Sequence, residues 1–426
     1  MKGKFGWFRV HSAVGGATCA IVVGLAIAPA TSTLSQETDD AGSGNVVHNR
    51  KVYLHPHPEP GTLTRNWFGA GDELQDLGVT STLNLWTIYQ ANVSGGLSKR
   101  GAANGQYQLS NHFDLERLLG LQGTSAFALI EGGWHDGINS SVGSLMGVNG
   151  TSLGDEAAGV PRFWIEQDLL GDRIRLRAGK MDVSADAFDF HDHSVAFDAM
   201  PFANTPRTQF LNGGLVNNAA VPFPAPGLAG MLFVELVESC YIATAAFDRN
   251  TNAFDMNFSN AFDEWMTMVE TGMVVSPGEA GLAGFYYAGC WYSTFPGAPD
   301  GNGVYFGASQ QLYRESKVDD QGFGAFARYG YADPVDEGIR HFWSLGGQYR
   351  GLFPGRDRDI LAIGWAQAFT DGDGFSAPSE GGLEMYYRAR ITPWIHLSSH
   401  LQYIANPGSD DISDAFTLGV RGQITF

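Results

Sequence analysis

The chain has 426 residues, with 26 basic and 45 acidic side chains and a formal charge of −19. This acidic balance argues against nucleic acid as a partner, because nucleic-acid sites are basic. Glycine (56 residues) and aromatic side chains (12%) are abundant, which suits many short strands joined by turns.

Residues 1–30 have the pattern of a secretory signal peptide. Lys2, Lys4 and Arg9 precede a run of small and apolar residues, and Ala28-Pro29-Ala30 offers a cleavage site. A membrane helix is the alternative, but the run is short and broken by glycine. Removing these three basic residues changes the charge from −19 to −22. No later segment reaches the ~20 apolar residues of a spanning helix, so the exported chain is expected to be either soluble or a barrel.

Residues 31–65 are polar and are predicted to form a flexible periplasmic leader. Its phrase HPHPEP, from His55 to Pro60, contains two possible metal ligands, but a proline-stiffened unstructured segment is the preferred interpretation. Residues 66–77 are predicted to form a short helical segment at the start of a barrel domain that spans 66–426.

Sixteen segments from residue 79 onward have the ~10-residue length of tilted membrane strands. They are 79–93, 105–116, 123–135, 160–169, 173–182, 227–237, 240–248, 262–275, 282–293, 302–313, 321–333, 339–350, 359–370, 380–391, 395–404 and 414–426. Short turns at one end alternate with connections that include two long ones, 136–159 and 183–226. An even strand number places both chain ends on the periplasmic side.

The alternating pattern from Pro161 to Asp182 predicts an antiparallel hairpin with a turn at Leu170-Gly171-Asp172. Its second strand opposes Arg173, Arg175 and Arg177 to Ile174, Leu176 and Ala178. A soluble sandwich would bury the apolar face, whereas a transmembrane barrel turns it to lipid and leaves the arginines inside.

The last three strands decide between these folds, since polar rows strictly alternate with apolar rows and the chain ends on a strand with Phe426. The sequence therefore predicts an all-β, sixteen-stranded antiparallel transmembrane β-barrel of the outer membrane. Cys240 and Cys290 remain after processing and are not expected to form a disulfide.

Three phrases resemble the carbohydrate-selective porin family of the OprB type. They are FWIEQDLLGDRIRLRAGKMD in the hairpin, FDAMPFANTP at 197–206, and EMYYRARITPWIHLSSHLQYIANPG at 384–408. The resemblance covers about 66–426, although His396, Ser398 and His400 depart from the phrase expected there. The departure puts the preferred sugar in doubt.

The resemblance implies a sixteen-stranded outer-membrane channel of a Gram-negative bacterium for glucose and related sugars. No cofactor, metal or chemical step is implied. Expected contacts are the sugars themselves, outer-membrane lipid and lipopolysaccharide, and the assembly machinery, which would read the terminal Phe426.

Sugar hydroxyls need fixed donors and acceptors, and sugar rings need flat apolar surfaces. The predicted inward faces supply Arg175, Arg177, Glu166, Trp164, Arg173, Glu384, Arg388, Arg390 and Arg421, together with Gln348 and Arg350. We expect Arg175, Arg177 and Glu166 at the constriction and Trp164 as a stacking surface. Alternatively, these charges only pair with one another in a wet wall.

The segment Val183–Pro226 is expected to fold inward and narrow the pore. Its phrase Asp189-Phe190-His191-Asp192-His193 admits a barrel enzyme as a second class, although no nucleophile or metal motif accompanies it. A closed structural barrel is a third class, which the small inward residues Gly346, Gly364, Ala362 and Ala366 disfavour. A general diffusion channel is the nearest competitor.

Overall fold

The computed structural model describes residues 62–185, 188–190, 193–195, 197–256, 261–275, 282–295, 299–316, 321–333, 338–370, 378–409 and 412–426. The predicted signal peptide and almost all of the predicted leader therefore lie outside the described residues. No helix within these ranges is long and apolar enough to cross a membrane.

Sixteen antiparallel strands close into a barrel in which the first strand pairs with the last. The barrel strands are β1 (Val79–Ser94), β2 (Arg100–Asp114), β3 (Thr124–Trp134), β4 (Glu156–Leu169), β5 (Ile174–Met181), β8 (Gly227–Val237), β9 (Cys240–Asp248), β10 (Trp265–Val275), β11 (Gly284–Ser293), β12 (Gly301–Arg314), β13 (Gly322–Asp333), β14 (Ile339–Arg350), β15 (Ile360–Thr370), β16 (Ser379–Thr392), β17 (Ile395–Ala405) and β18 (Ala415–Thr425). The predicted fold class and strand number are confirmed.

Short elements occupy the connections. They are α1 (Arg65–Phe68) and α2 (Ala70–Leu77) before β1, α3 (Leu115–Leu119) between β2 and β3, α4 (Asn139–Val142) between β3 and β4, and β6 (Phe188–Phe190), β7 (His193–Val195) and α5 (Gly213–Val216) between β5 and β8. The predicted helical segment 66–77 corresponds to α1 and α2. The long connections all lie at one end of the barrel, here called the long-loop end, and the other is the short-turn end.

Alternation along β17 and β18 separates the two faces of the wall as predicted. Leu397 and Val420 are both 47% exposed, whereas Gln402 and Arg421 are at most 1% exposed. Outward side chains are thus apolar and inward ones polar, which is the arrangement a membrane wall requires. The N–H of Phe426 donates to the carbonyl of Leu83 at 2.8 Å, which continues the β1–β18 seam.

The turn of the β4–β5 hairpin forms where the sequence predicts it. Leu170, Gly171 and Asp172 have φ values of 53°, 67° and 69°, a left-handed backbone that favours glycine. Arg173 belongs to this turn and not to β5, and its side chain is exposed. The predicted strand 173–182 therefore starts one residue too early, and the pore-lining role of Arg173 stays a prediction.

Residues 197–226, here called the in-folded segment, pack inside the barrel. Inward glycines of the wall make room for them: a Cβ on Gly324 would lie 2.3 Å from the Phe202 ring, one on Gly330 2.2 Å from Asn218 Oδ1, and one on Gly364 2.8 Å from Leu215. Val183–Pro226 was predicted to fold inward, and its described part from 197 onward does. The reading of small inward residues as signs of an open bore is wrong, because the space beside Gly364 holds the segment.

The two cysteines after the predicted cleavage site lie on strands separated by β10. Cys240 on β9 is opposite Met273, and Cys290 on β11 is opposite Val269. Neighbouring strands are about 4.8 Å apart, so two strand spacings alone exceed the ~6.8 Å limit for the Cα atoms of a disulfide. The expectation of no disulfide between them is confirmed.

We predict that Gly330→Val lowers barrel stability and that Gly230→Val does not. A side chain at 330 collides with Asn218 of the in-folded segment, whereas a Cβ at the outward-facing Gly230 meets nothing within 4 Å. Overpacking of this kind typically costs about 1–3 kcal/mol. The temperature at which the folded band disappears in unheated detergent gels reports the difference, and equal temperatures for the two variants would contradict the packing described above.

Candidate functional site

The β4–β5 hairpin brings an arginine, a carboxylate and an aromatic ring together on the inner wall. Arg177 lies opposite Glu166 in the register, and its guanidinium donates to Glu166 Oε2 from Nη2 at 2.6 Å and from Nε at 3.0 Å. The same guanidinium lies 3.8 Å from the centre of the Trp164 ring. A planar cation fixed both by a carboxylate and by a ring face is rigid.

A similar group lies nearer the short-turn end. Arg175 Nε is 3.6 Å from Asp168 Oδ1, and its guanidinium lies 5.6 Å from the centre of the Phe233 ring on β8. The side chains of Arg175 and Asp168 are 17% and 18% exposed, against 2% for Arg177. Access to solvent thus increases toward the short-turn end.

The arrangement continues toward the long-loop end. The guanidinium of Arg162 lies 5.6 Å from the centre of the Phe127 ring, which in turn stacks on Trp164 with 5.2 Å between ring centres. Beyond it, Glu131 on β3 accepts from Gln108 Nε2 at 3.0 Å and from Arg207 Nη2 of the in-folded segment at 3.3 Å. Arg207 thus places a guanidinium against the inner wall, although it belongs to the in-folded segment.

These residues form one continuous strip of charges and rings along β3, β4, β5 and β8, here called the lane. Its members, from the long-loop end to the short-turn end, are Arg207, Glu131, Arg162, Phe127, Trp164, Arg177, Glu166, Arg175, Asp168 and Phe233. The lane offers guanidinium donors, carboxylate acceptors and flat ring faces in alternation. That set of groups can bind a polyhydroxylated ring molecule.

Four of the nine predicted site residues belong to the lane: Trp164, Glu166, Arg175 and Arg177. Sequence reasoning missed Arg162 and Glu131, although Arg162 is two residues from Trp164 and therefore shares its face. It also missed Arg207, for which strand periodicity gives no signal, because the residue lies in a connection.

Glu384 and Arg421 face inward as predicted, but they hold the in-folded segment and do not line a bore. Glu384 accepts from the backbone N–H groups of Leu211 and Asn212 at 2.7–3.0 Å and lies 2.7 Å from His400 Nδ1. Arg421 donates to the carbonyls of Pro206 at 2.6 Å and Gln209 at 2.9 Å. Both are at most 1% exposed.

Arg388 and Arg390 face inward on β16 and are half-buried near the short-turn end. Arg388 donates to Gln423 Oε1 at 3.1 Å. Seven strand steps separate β16 from β5 in the barrel order, so these arginines lie on the wall opposite the lane. The structure does not bring them together with Arg175 and Arg177.

A second buried cluster holds the start of the in-folded segment. Arg328 Nε lies 2.9 Å from Asp198 Oδ2, with both side chains at most 1% exposed. Tyr287 donates to the other oxygen of Asp198 at 2.9 Å, and the backbone N–H of Asp198 donates to Glu270 at 2.9 Å. These contacts hold the segment against β10, β11 and β13.

The side chains of the Asp189–His193 phrase lie outside the described part of the structure. Asp189, Phe190 and His193 belong to β6 and β7, their side chains are not described, and His191 and Asp192 lie outside the described residues. Within the described ranges, no three His, Cys, Asp or Glu side chains are placed to share a metal ion.

Two comparisons with known proteins point to the same family. Residues 99–299 and 294–426 match the family described as "Carbohydrate-selective porin, OprB family". The chain is 22% identical to Porin B of Pseudomonas aeruginosa over 443 aligned positions, covering 90% of this chain and 95% of that protein.

Solved structures show the same fold. The high-pH structure of Pseudomonas putida OprB superposes with a TM-score of 0.72 at 20% identity, covering 86% of this chain and 98% of that one. The low-pH structure of the same protein gives a TM-score of 0.57 at 19% identity over the same shares.

We predict that Arg421→Met loosens the in-folded segment near Pro206 and raises single-channel conductance and its noise. Hydrogen bonds from a charged donor contribute about 1.5–3 kcal/mol each, and this change removes those to Pro206 and Gln209. Arg117→Met is the control, because Arg117 is exposed on α3 and contacts Asp114 and Gln75, far from the in-folded segment in the chain. Recordings in planar bilayers that are identical for Arg421→Met and wild type would contradict this anchoring role.

Proposed function

The chain belongs to the carbohydrate-selective porin (OprB) family, and we propose that glucose and related small sugars diffuse through it along the arginine-lined lane. It is a channel and not an enzyme, and it resides in the outer membrane of a Gram-negative bacterium. Our proposal is that glucose is a preferred sugar and that the constriction lies at the lane.

One observation supports the lane most strongly, namely the position of Arg177 between Glu166 and Trp164. Two hydrogen bonds and a ring contact of 3.8 Å fix the guanidinium in one orientation. A sugar hydroxyl that approaches this pair reaches Glu166, whose side chain is 13% exposed and is held in one orientation by Arg177. Little side-chain ordering is then needed when the sugar binds, so the entropic cost of the contact is small.

The competing interpretation is that these charges only satisfy one another in a wet wall. Complete burial favours that view for the Arg328–Asp198 pair, whose side chains are at most 1% exposed. In the lane, Glu166, Arg175 and Asp168 keep 13–18% exposure, so solutes can reach them. The general diffusion porin remains the second candidate, because an open polar strip also passes water and ions.

Outer-membrane lipid, lipopolysaccharide and the assembly machinery are proposed partners. The outward apolar rows of the wall, including Leu397 and Val420, fit contact with lipid. Phe426 directly follows β18 at the barrel seam, where its backbone N–H donates to the carbonyl of Leu83 on β1. A terminal aromatic in that place is available as the proposed assembly signal.

Sugar entry into liposomes tests the proposal. The purified mature protein is expected to pass glucose faster than triethylene glycol, an uncharged non-sugar solute, and the glucose flux is expected to saturate. The double variant Arg175→Ala/Arg177→Ala removes two fixed donors. Because charge-assisted hydrogen bonds are lost, we expect the glucose concentration at half-maximal flux to rise about tenfold.

The matched control is Arg117→Ala/Arg340→Ala. Each of these arginines also lies beside an aspartate, at 3.6 Å from Asp114 and 3.3 Å from Asp333, but outside the lane. This variant is expected to behave as wild type. Equal entry of glucose and triethylene glycol through the wild-type protein would reduce it to a general diffusion porin.

A further inference from the structure

The in-folded segment contributes one charged side chain to the lane, and this contact differs from its other attachments. The Arg328–Asp198 pair is sealed from solvent, and so is Glu384, which binds the backbone of Leu211 and Asn212; their side-chain exposures are at most 1%. The side chain of Arg207 is 25% exposed although it is paired with Glu131. It is therefore an attachment of the segment that a passing solute can touch.

The backbone around Arg207 is fixed independently of its side chain. Arg421 donates to the carbonyls of Pro206 and Gln209, which flank Arg207. Gln209 Oε1 accepts from the backbone N–H groups of Asn204 and Thr205 at 2.6 and 3.0 Å. The guanidinium thus projects from a rigid turn, and removing it leaves the turn's own hydrogen bonds in place.

The guanidinium meets two acceptors on the wall. Nη2 lies 3.3 Å from Glu131 Oε1. With the Gln106 amide oriented so that its nitrogen donates to the carbonyl of Thr151, its oxygen accepts from Arg207 Nε at 2.6 Å. Arg207 therefore links the in-folded segment to β2 and β3 at the long-loop end of the lane, with part of its side chain still exposed.

We infer that Arg207 is a specificity-determining residue of this channel, binding the sugar's hydroxyl groups directly as the sugar passes between the in-folded segment and Glu131. This inference rests on the proposed function. A guanidinium has five donors, so the contacts with Glu131 and Gln106 leave it able to donate to a ligand oxygen as well. Uncharged polyhydroxylated rings fit this contact, because they donate to Glu131 and accept from Arg207.

Four proteins test the inference: wild type, Arg207→Ala, Glu131→Gln and the control Arg340→Ala. Arg340 matches Arg207 closely, since it is 26% exposed and 3.3 Å from Asp333, and it lies at the end of β14 away from the lane. Glucose-induced current noise in planar bilayers gives the binding constant, and liposome entry gives the preference for glucose over triethylene glycol. Unheated-gel stability reports whether the barrel is intact.

Arg207→Ala is expected to weaken glucose binding about tenfold, the size of one lost charge-assisted hydrogen bond, with unchanged stability and with increased conductance. Glu131→Gln keeps the guanidinium in the lane, so its loss is expected to be smaller. Arg207→Lys is expected to recover part of the binding, because it restores a cationic donor without the planar fork. Arg340→Ala is expected to match wild type.

Equal losses in Arg207→Ala and Glu131→Gln would overturn the inference, because Arg207 would then act only by holding Glu131. Unchanged glucose binding in Arg207→Ala would also overturn it, while selective glucose entry through the wild type would leave the proposed function intact. If the wild type shows no preference for glucose, the proposed function itself fails.

Discussion

A charge that faces the inside of this barrel must be satisfied by a group inside the barrel, and the described structure depends on that requirement. Isolated buried ions cost several kcal/mol each (on the order of 20 in the idealised limit). Arg328, Glu384 and Arg421 are almost fully buried on the wall, and each binds the in-folded segment through a carboxylate or through backbone groups. The wall and the segment therefore stabilise each other.

Glycine makes this arrangement sterically possible. Gly324, Gly330 and Gly364 lie on inward positions where any side chain would collide with the segment. Glycines and buried charged side chains hold the segment against one wall of the barrel. The proposed path for solutes is therefore along the opposite wall. The lane on β3, β4, β5 and β8 keeps three partly exposed charges, Glu166, Arg175 and Asp168, at 13–18% exposure. Packing on one side thus sets the position of the proposed sugar-binding surface on the other.

Much of the wall could be predicted from sequence, because a strand has a period of two and the membrane penalises an inward-outward error. Trp164, Glu166, Arg175 and Arg177 were predicted on this basis. The start of β5 was placed one residue too early, at Arg173, because alternation does not show where a turn ends. For Glu384 and Arg421 the face was right and the role was not, since periodicity does not separate a side chain that faces solvent from one that faces a folded-in connection. Arg207 was missed because a connection has no period, and its position follows from contacts made by residues far away in the chain.

We propose that the in-folded segment closes one side of the barrel interior and leaves the lane as the path that solutes take. Thiol accessibility tests it most directly, in a background with Cys240→Ser and Cys290→Ser. A bulky thiol reagent should react with Glu166→Cys in the lane and remove most of the current. It should not react with Ser344→Cys, because Ser344 is 1% exposed and lies opposite Arg328, beneath the segment. Equal reaction at both positions, with equal loss of current, would contradict the account.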